Sequence, residues 1–127
     1  MKKILLCIMM ATMIAIHSDA QNDKVYDSVE VMPEYPGGMQ ALFDYMMNSI
    51  KYPAEALKQK IEGKVVVGFI VEKDGSVSEA HPLTAVHPLL DKEAVRLVND
   101  MPKWKPGREK GKAVRVSFAL PVHFKLK

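Results

Sequence analysis

Cysteine is almost missing from this chain of 127 residues, because Cys7 is the only one. Cys7 lies in an apolar stretch near the N-terminus, so the rest of the chain has no disulfide, no thiolate nucleophile and no cysteine metal ligand. The net charge is only +3 and aromatic residues make up 7%. Without interleaved basic and aromatic residues, nucleic acid is not expected as a partner. The sequence predicts a domain held together by packing alone.

No apolar run is long enough to cross a bilayer. The longest covers residues 4–16, which as a helix spans about 20 Å against a hydrocarbon core of roughly 30 Å. It follows Lys2 and Lys3 and precedes Ser18-Asp19-Ala20, the pattern of an export signal. We predict a secretory signal peptide over residues 1–20. The alternative is an uncleaved N-terminus that anchors the protein in the inner membrane.

The patterns that carry catalysis are also missing. There is no serine nucleophile elbow and no phosphate-binding glycine loop, and Glu72 and Asp74 flank a turn as ordinary solvated residues. The three histidines that follow the predicted signal peptide, His81, His87 and His123, lack the i, i+4 spacing of a helical zinc pair. The sequence therefore predicts no catalytic residue, no metal site, no cofactor and no enzyme activity.

Two segments have the apolar spacing of amphipathic helices. The first begins at Met39, and the residues expected on its core-facing side are Met39, Leu42, Phe43, Met46 and Ile50. The second covers about 89–101, and Pro102 ends it. Between them Tyr52-Pro53 opens a short helix, and Gly63 lies just past its end.

Strand patterns fill the rest of the chain. Residues 64–72 are apolar on both faces, which predicts a buried central strand. Asp74-Gly75 then predicts a tight hairpin turn, followed by a partner strand over 76–81 that Pro82 ends. The last strand is expected over 113–124. Residues 29–32 read either as lead-in or as an extra edge strand.

The order of these motifs makes the chain resemble the TonB C-terminal domain family. The residues that carry the resemblance are Tyr52-Pro53-Ala54, Ile61 to Val65, Phe69 and Val71 before Asp74-Gly75, the helix with Ala94, and Trp104, Pro106 and Gly107. The chain is most similar to compact, stand-alone TonB-like proteins of Bacteroidetes-type Gram-negative bacteria. The resemblance implies an α+β fold, a two-layer sandwich of a three-stranded antiparallel sheet with two main helices on one face. This domain would cover 37–127, after a lead-in linker over 21–36.

The resemblance also implies a function. Family members lie in the periplasm and bind outer-membrane receptors by adding the receptor's N-terminal TonB box to the edge of the last strand. An edge strand offers unpaired N–H and C=O groups, and Pro121, which cannot donate, suits an edge. The predicted partner-binding residues form two runs: Ser49, Ile50, Lys51 and Tyr52, and Val114, Arg115, Val116, Ser117, Phe118 and Ala119.

Three alternatives stay open. The same edge could pair with a second copy in a strand-exchanged homodimer that has no part in energy transduction. Pro121 and nearby charges could serve only to blunt the edge. The basic C-terminal part, with eight Lys/Arg after Met101 against Glu109 alone, could hold peptidoglycan or anionic lipid. Compared with full transducers, the chain lacks a long Pro-rich spacer, and Ser49 replaces a Gln found in the best-known members.

Overall fold

The computed structural model describes residues 24–126, so the predicted signal peptide lies outside the described residues. The described chain contains three helices and five strands. The helices are α1 (Gly38–Ser49), α2 (Ala54–Lys58) and α3 (Pro88–Asn99). The strands are β1 (Val25–Tyr26), β2 (Gly63–Val71), β3 (Val77–Thr84), β4 (Gly107–Glu109) and β5 (Lys112–Phe124). None of the helices in residues 24–126 is long and apolar enough to cross a membrane.

The sheet has the order β1-β5-β2-β3, and β4 pairs with the start of β5. Strand β2 is antiparallel to both β3 and β5, whereas β1 runs parallel to β5. The α+β class is therefore confirmed. The prediction of a three-stranded antiparallel sheet is incomplete. Strands β1 and β4 extend the sheet to five strands, and the parallel strand β1 makes it mixed. Strands of two and three residues are too short to show a period-2 pattern.

The predicted hairpin between β2 and β3 is present. Gly75 has a φ of 90°, and its N–H donates to the carbonyl of Glu72 at 2.9 Å. The expectation that Pro82 ends β3 is wrong, since the strand continues to Thr84 with Pro82 opposite Val67. Strand β3 lies at the edge of the sheet, where a residue without an N–H costs no ladder hydrogen bond.

The core lies on one side of the sheet. Strand β2 contributes Val65, Val67, Phe69 and Val71, all at most 2% exposed, and all three helices pack their buried residues in the same cluster. On the opposite face of β2, Val66 and Ile70 are only half-buried. Gly68 on that face is buried, so the expectation that both faces of this central strand are buried is fulfilled completely only on the helix side.

The apolar stripe of α1 does not all face the core, as we expected it to. Leu42 is 1% exposed, but Met39 is 61% and Phe43 is 48% exposed. The reason is position: α1 lies beside the edge of the sheet rather than over its centre. Only one side of the stripe therefore meets the core, and the other side remains open next to β5.

The chain before α1 is attached to the sheet. Val31 and Glu34 form single bridges with Arg108 and Lys105, and Tyr35 is buried in the core. The segment that we expected as a lead-in linker thus contributes strand β1, two bridges and one core residue to the domain.

Candidate partner-binding edge

Strand β5 has two flanks with different partners. On one flank β2 pairs with it without interruption, from Val71 opposite Val116 to Gly63 opposite Phe124. On the other, which we call the outer flank, β1 pairs only with Arg115 and Val116. Strand β4 pairs with residues 112–114. Among the residues that the structure describes, no strand pairs with the outer flank over residues 117–124.

Pro121 fixes which peptide groups of β5 point to the outer flank. Pro121 lies opposite Val66 of β2. Because Pro121 has no N–H to donate to β2, it fits a non-hydrogen-bonded pair, in which the peptide groups point away from β2. Because hydrogen-bonded and non-hydrogen-bonded pairs alternate along an antiparallel ladder, Ser117, Ala119 and His123 share this orientation. Their neighbours Phe118, Leu120 and Val122 instead direct their peptide groups toward β2.

The predicted run from Val114 to Ala119 therefore divides. Val114 is paired with Gly107 of β4, and Arg115 and Val116 with β1. Phe118 places its ring in the core, 5.3 Å from that of Trp104. Ala119 has an outward peptide group beyond β1, whereas Ser117 lies at the end of β1, where its hydroxyl contacts Tyr26 and Asp27.

Arg115 is engaged in ion pairs. Its Nε lies 2.8 Å from Glu72 Oε1, and its Nη2 lies 3.3 Å from Glu79 Oε2. The hydrogen bonds that Glu72 accepts from Arg115 and from the Ser78 hydroxyl hold the pKa of Glu72 below its ordinary value. Any attraction of Arg115 for an acidic partner is correspondingly reduced, because two carboxylates already compensate the guanidinium.

Strand β1 is held on the outer flank by its two residue pairs with β5 and by the side chain of Ser117. The hydroxyl of Ser117 donates to Asp27 Oδ1 at 3.0 Å and to the carbonyl of Tyr26 at 3.4 Å. Val25 remains exposed. This strand closes the outer flank at its upstream end and leaves the stretch beyond it open.

The other predicted run, from Ser49 to Tyr52, is fixed by a buried carboxylate. Glu93 is 9% exposed and accepts from the backbone N–H of Lys51 at 2.6 Å and from Arg96 Nε at 2.7 Å. Arg96 Nη2 also donates to the carbonyl of Ser49 at 3.0 Å. Burial alone would raise the pKa of Glu93, but the hydrogen bonds from Arg96 and Lys51 outweigh it and lower the pKa.

The Tyr-Pro motif has a structural role in this fold. The Tyr52 hydroxyl donates to the carbonyl of Ile61, and its ring meets that of Phe124 edge-on at 5.7 Å. These contacts tie the start of α2 to its end and to the last residue of β5. Within this run, Ile50 faces an opening beside β5.

That opening is an apolar groove of about 310 Å³ between α1 and the downstream half of β5. Its strand wall is residues 120–123, and its other wall is formed by α1 and the residue after it: Met39, Leu42, Phe43, Met46, Met47 and Ile50. Sequence reasoning missed this groove because it placed the methionines in the core. The available signal was the width of the apolar stripe, since Met47 flanks the positions that one core-facing side can hold.

One histidine has a clear structural role. The Nδ1 of His87 accepts the N–H of Leu89 at 3.1 Å and thereby caps α3, with Pro88 in the first helical position. The sequence pattern predicts that this helix begins near Leu89 and does not indicate a cap.

Comparison with known proteins identifies the class of this domain. The family described as "Gram-negative bacterial TonB protein C-terminal" matches residues 48–126. The chain belongs to this family, which confirms the resemblance seen in the sequence. Its domains are interaction domains of the Gram-negative periplasm that act in TonB-dependent transport and contact outer-membrane receptors.

Solved structures show the same fold. The chain is similar to the C-terminal domain of Helicobacter pylori TonB, known as solution structures of a longer and a shorter fragment, each 24% identical to it. The longer has a TM-score of 0.54, with 69% of this chain and 79% of that chain covered. The shorter has a TM-score of 0.53, with 69% and 92% covered. No curated protein matches the chain.

Proposed function

We propose that this protein is a non-enzymatic, TonB-like periplasmic protein that binds the TonB box of an outer-membrane receptor by β-strand addition. The observation that carries the proposal is the outer flank of β5 over residues 117–124, which has no strand partner among the described residues. An extended peptide satisfies such a row of N–H and C=O groups and gains main-chain hydrogen bonds in return.

The proposed site is narrower than the two predicted runs. It comprises the outward peptide groups of Ser117, Ala119 and His123, together with Ile50 at the groove. Arg115 and Val116 enter it only if the bound peptide displaces β1, and Val114 only if it displaces β4. Ser49, Lys51 and Tyr52 support it by holding the chain between α1 and α2 in place.

Export to the periplasm is part of the proposal and depends on the predicted signal peptide. If the signal is cleaved after Ala20, the protein recovered from cells begins at Gln21. N-terminal sequencing of the purified protein tests this. A protein that begins at Met1 would instead indicate the membrane-anchored alternative.

Peptide titration tests strand addition. Labelled peptides from the N-termini of outer-membrane receptors of the same bacterium are added to the purified protein. We expect Ala119→Pro to weaken binding about tenfold, because it removes one outward N–H and disturbs peptide contact at that point. Ala119→Val keeps the N–H and serves as the matched control, with circular dichroism to check the fold of both. Equal affinities for the two variants would contradict the proposed edge.

The second candidate is a strand-exchanged homodimer, which the same unpaired flank supports. Sedimentation at several concentrations separates the two functions. A concentration-dependent dimer that Ser117→Pro abolishes, without peptide binding, would favour this candidate. Binding that is salt-sensitive and independent of peptide sequence would point to the basic surface instead.

A further inference from the structure

The groove between α1 and β5 extends the proposed binding edge with a side-chain pocket. We infer that the partner peptide places a large apolar side chain in this groove, so that the site selects an extended segment with Leu, Ile, Met or Phe at one inward position. The inference rests on the proposed strand addition and adds to it a rule for peptide sequence.

Strand geometry directs side chains of an added peptide toward the groove. A strand paired with the outer flank lies about 4.7–4.9 Å from β5, and its side chains alternate between the two faces of the sheet. Leu120 and Val122 mark the helix-side face, because both are buried in the core beneath the helices. Every second side chain of the peptide would therefore point toward α1, where the groove begins.

The walls of the groove suit an apolar side chain. Met39, Phe43 and Met47 are 61%, 48% and 78% exposed. Large apolar residues that cluster on a surface mark interaction sites, and methionine adapts its shape to different partners. The volume of about 310 Å³ is at the lower end of the range for ligand pockets, roughly 300–1,000 Å³, which fits one or two side chains.

The unpaired backbone beside the groove determines the kind of occupant. One wall is the stretch of β5 that includes the outward peptide groups of Pro121 and His123. A lipid chain would fill the apolar space and leave those peptide groups unpaired. An extended peptide would fill the space and also form hydrogen bonds with those groups. A second copy that approached through its own β5 would bring its own α1 to the same flank, so the two helices would compete for the space.

Substitutions in the groove test the inference with a peptide that binds in the titration. We expect Met47→Glu to weaken binding of that peptide about tenfold, because the carboxylate enters the apolar groove. The matched control is Asn48→Glu, which adds the same charge on the same helix at a residue that does not line the groove. Phe43→Ala provides a second groove variant without added charge.

A second peptide completes the test, with its inward apolar residue replaced by alanine. We expect this peptide to bind the unmodified protein more weakly and to be insensitive to Met47→Glu and Phe43→Ala. Full affinity of the apolar peptide for both groove variants, with weakened binding to Ala119→Pro, would overturn the inference and leave strand addition intact. If Ala119→Pro has no effect either, strand addition itself fails and the inference fails with it.

Discussion

At the scale of single residues, the buried carboxylate of Glu93 connects two distant parts of the chain. It receives hydrogen bonds from Arg96 on its own helix and from the backbone of Lys51, 42 residues earlier in the chain. These bonds join α3 to the segment between α1 and α2. A buried carboxylate is stable there because every contact is with a donor.

Replacement of Glu93 tests this role. We expect Glu93→Ala to lower the free energy of unfolding by about 1–3 kcal/mol at neutral pH, because the Lys51 N–H and the Arg96 guanidinium lose their acceptor. Denaturant unfolding measures the change. Asp100→Ala removes an exposed partner of the same arginine and should cost no more than about 0.5 kcal/mol.

The loss of unfolding free energy in Glu93→Ala should depend on pH in a defined direction. The pKa of Glu93 is lowered in the folded protein, so its contribution is complete above the ordinary carboxyl pKa of about 4.3 and is lost as the pH falls through the lowered value. The stability difference between Glu93→Ala and the unmodified protein should shrink over that acid range. A difference that stays constant would show that the carboxylate charge is not responsible.

Residue-scale features were predictable where they are local. Asp74-Gly75 predicts its turn, because the left-handed φ of Gly75 is a property of that dipeptide. Its contact with Trp104 was not predictable: a Cβ on Gly75 would lie 2.0 Å from the Trp104 carbonyl oxygen. The role of Glu93 was hidden for the same reason, since both contacts join distant parts of the chain.

At the scale of elements, the long segments and the short helix α2 were predicted, and the shortest strands β1 and β4 were not. The helices α1 and α3 and the strands β2, β3 and β5 have enough residues for a period to emerge. Strand β1 has two residues, and only the position of β5 makes it a strand. Which side of α1 stays exposed was likewise not predictable, because it depends on where the helix lies relative to the sheet.

The open edge on which the proposed site depends was predictable in part. Pro121 indicates from the sequence that β5 lies at an edge, and the structure leaves the outer flank open beyond Val116 within the described residues. The closure of residues 114–116 by β1 and β4 depends on tertiary packing. The groove depends on where α1 lies. The sequence therefore indicated only that the residues concerned are apolar.

At the scale of the whole molecule, the unpaired flank of β5 and the apolar groove form one continuous surface. In the proposed complex the flank would offer main-chain hydrogen bonds, which any extended peptide can make, and the groove would discriminate among side chains. The remaining parts of the domain hold these two features together: β2 fixes β5, and Glu93 fixes the segment that follows α1. We therefore propose that this surface combines affinity from backbone pairing with selectivity from packing.

Amide hydrogen exchange of the full protein, followed by NMR with and without bound receptor peptide, tests strand addition most directly. The N–H groups of Leu120 and Val122 should exchange slowly in both states, because they pair with β2. Those of Ala119 and His123 should exchange quickly in the free protein and become protected when the peptide binds. Peptide binding that leaves Ala119 and His123 unprotected would contradict the account.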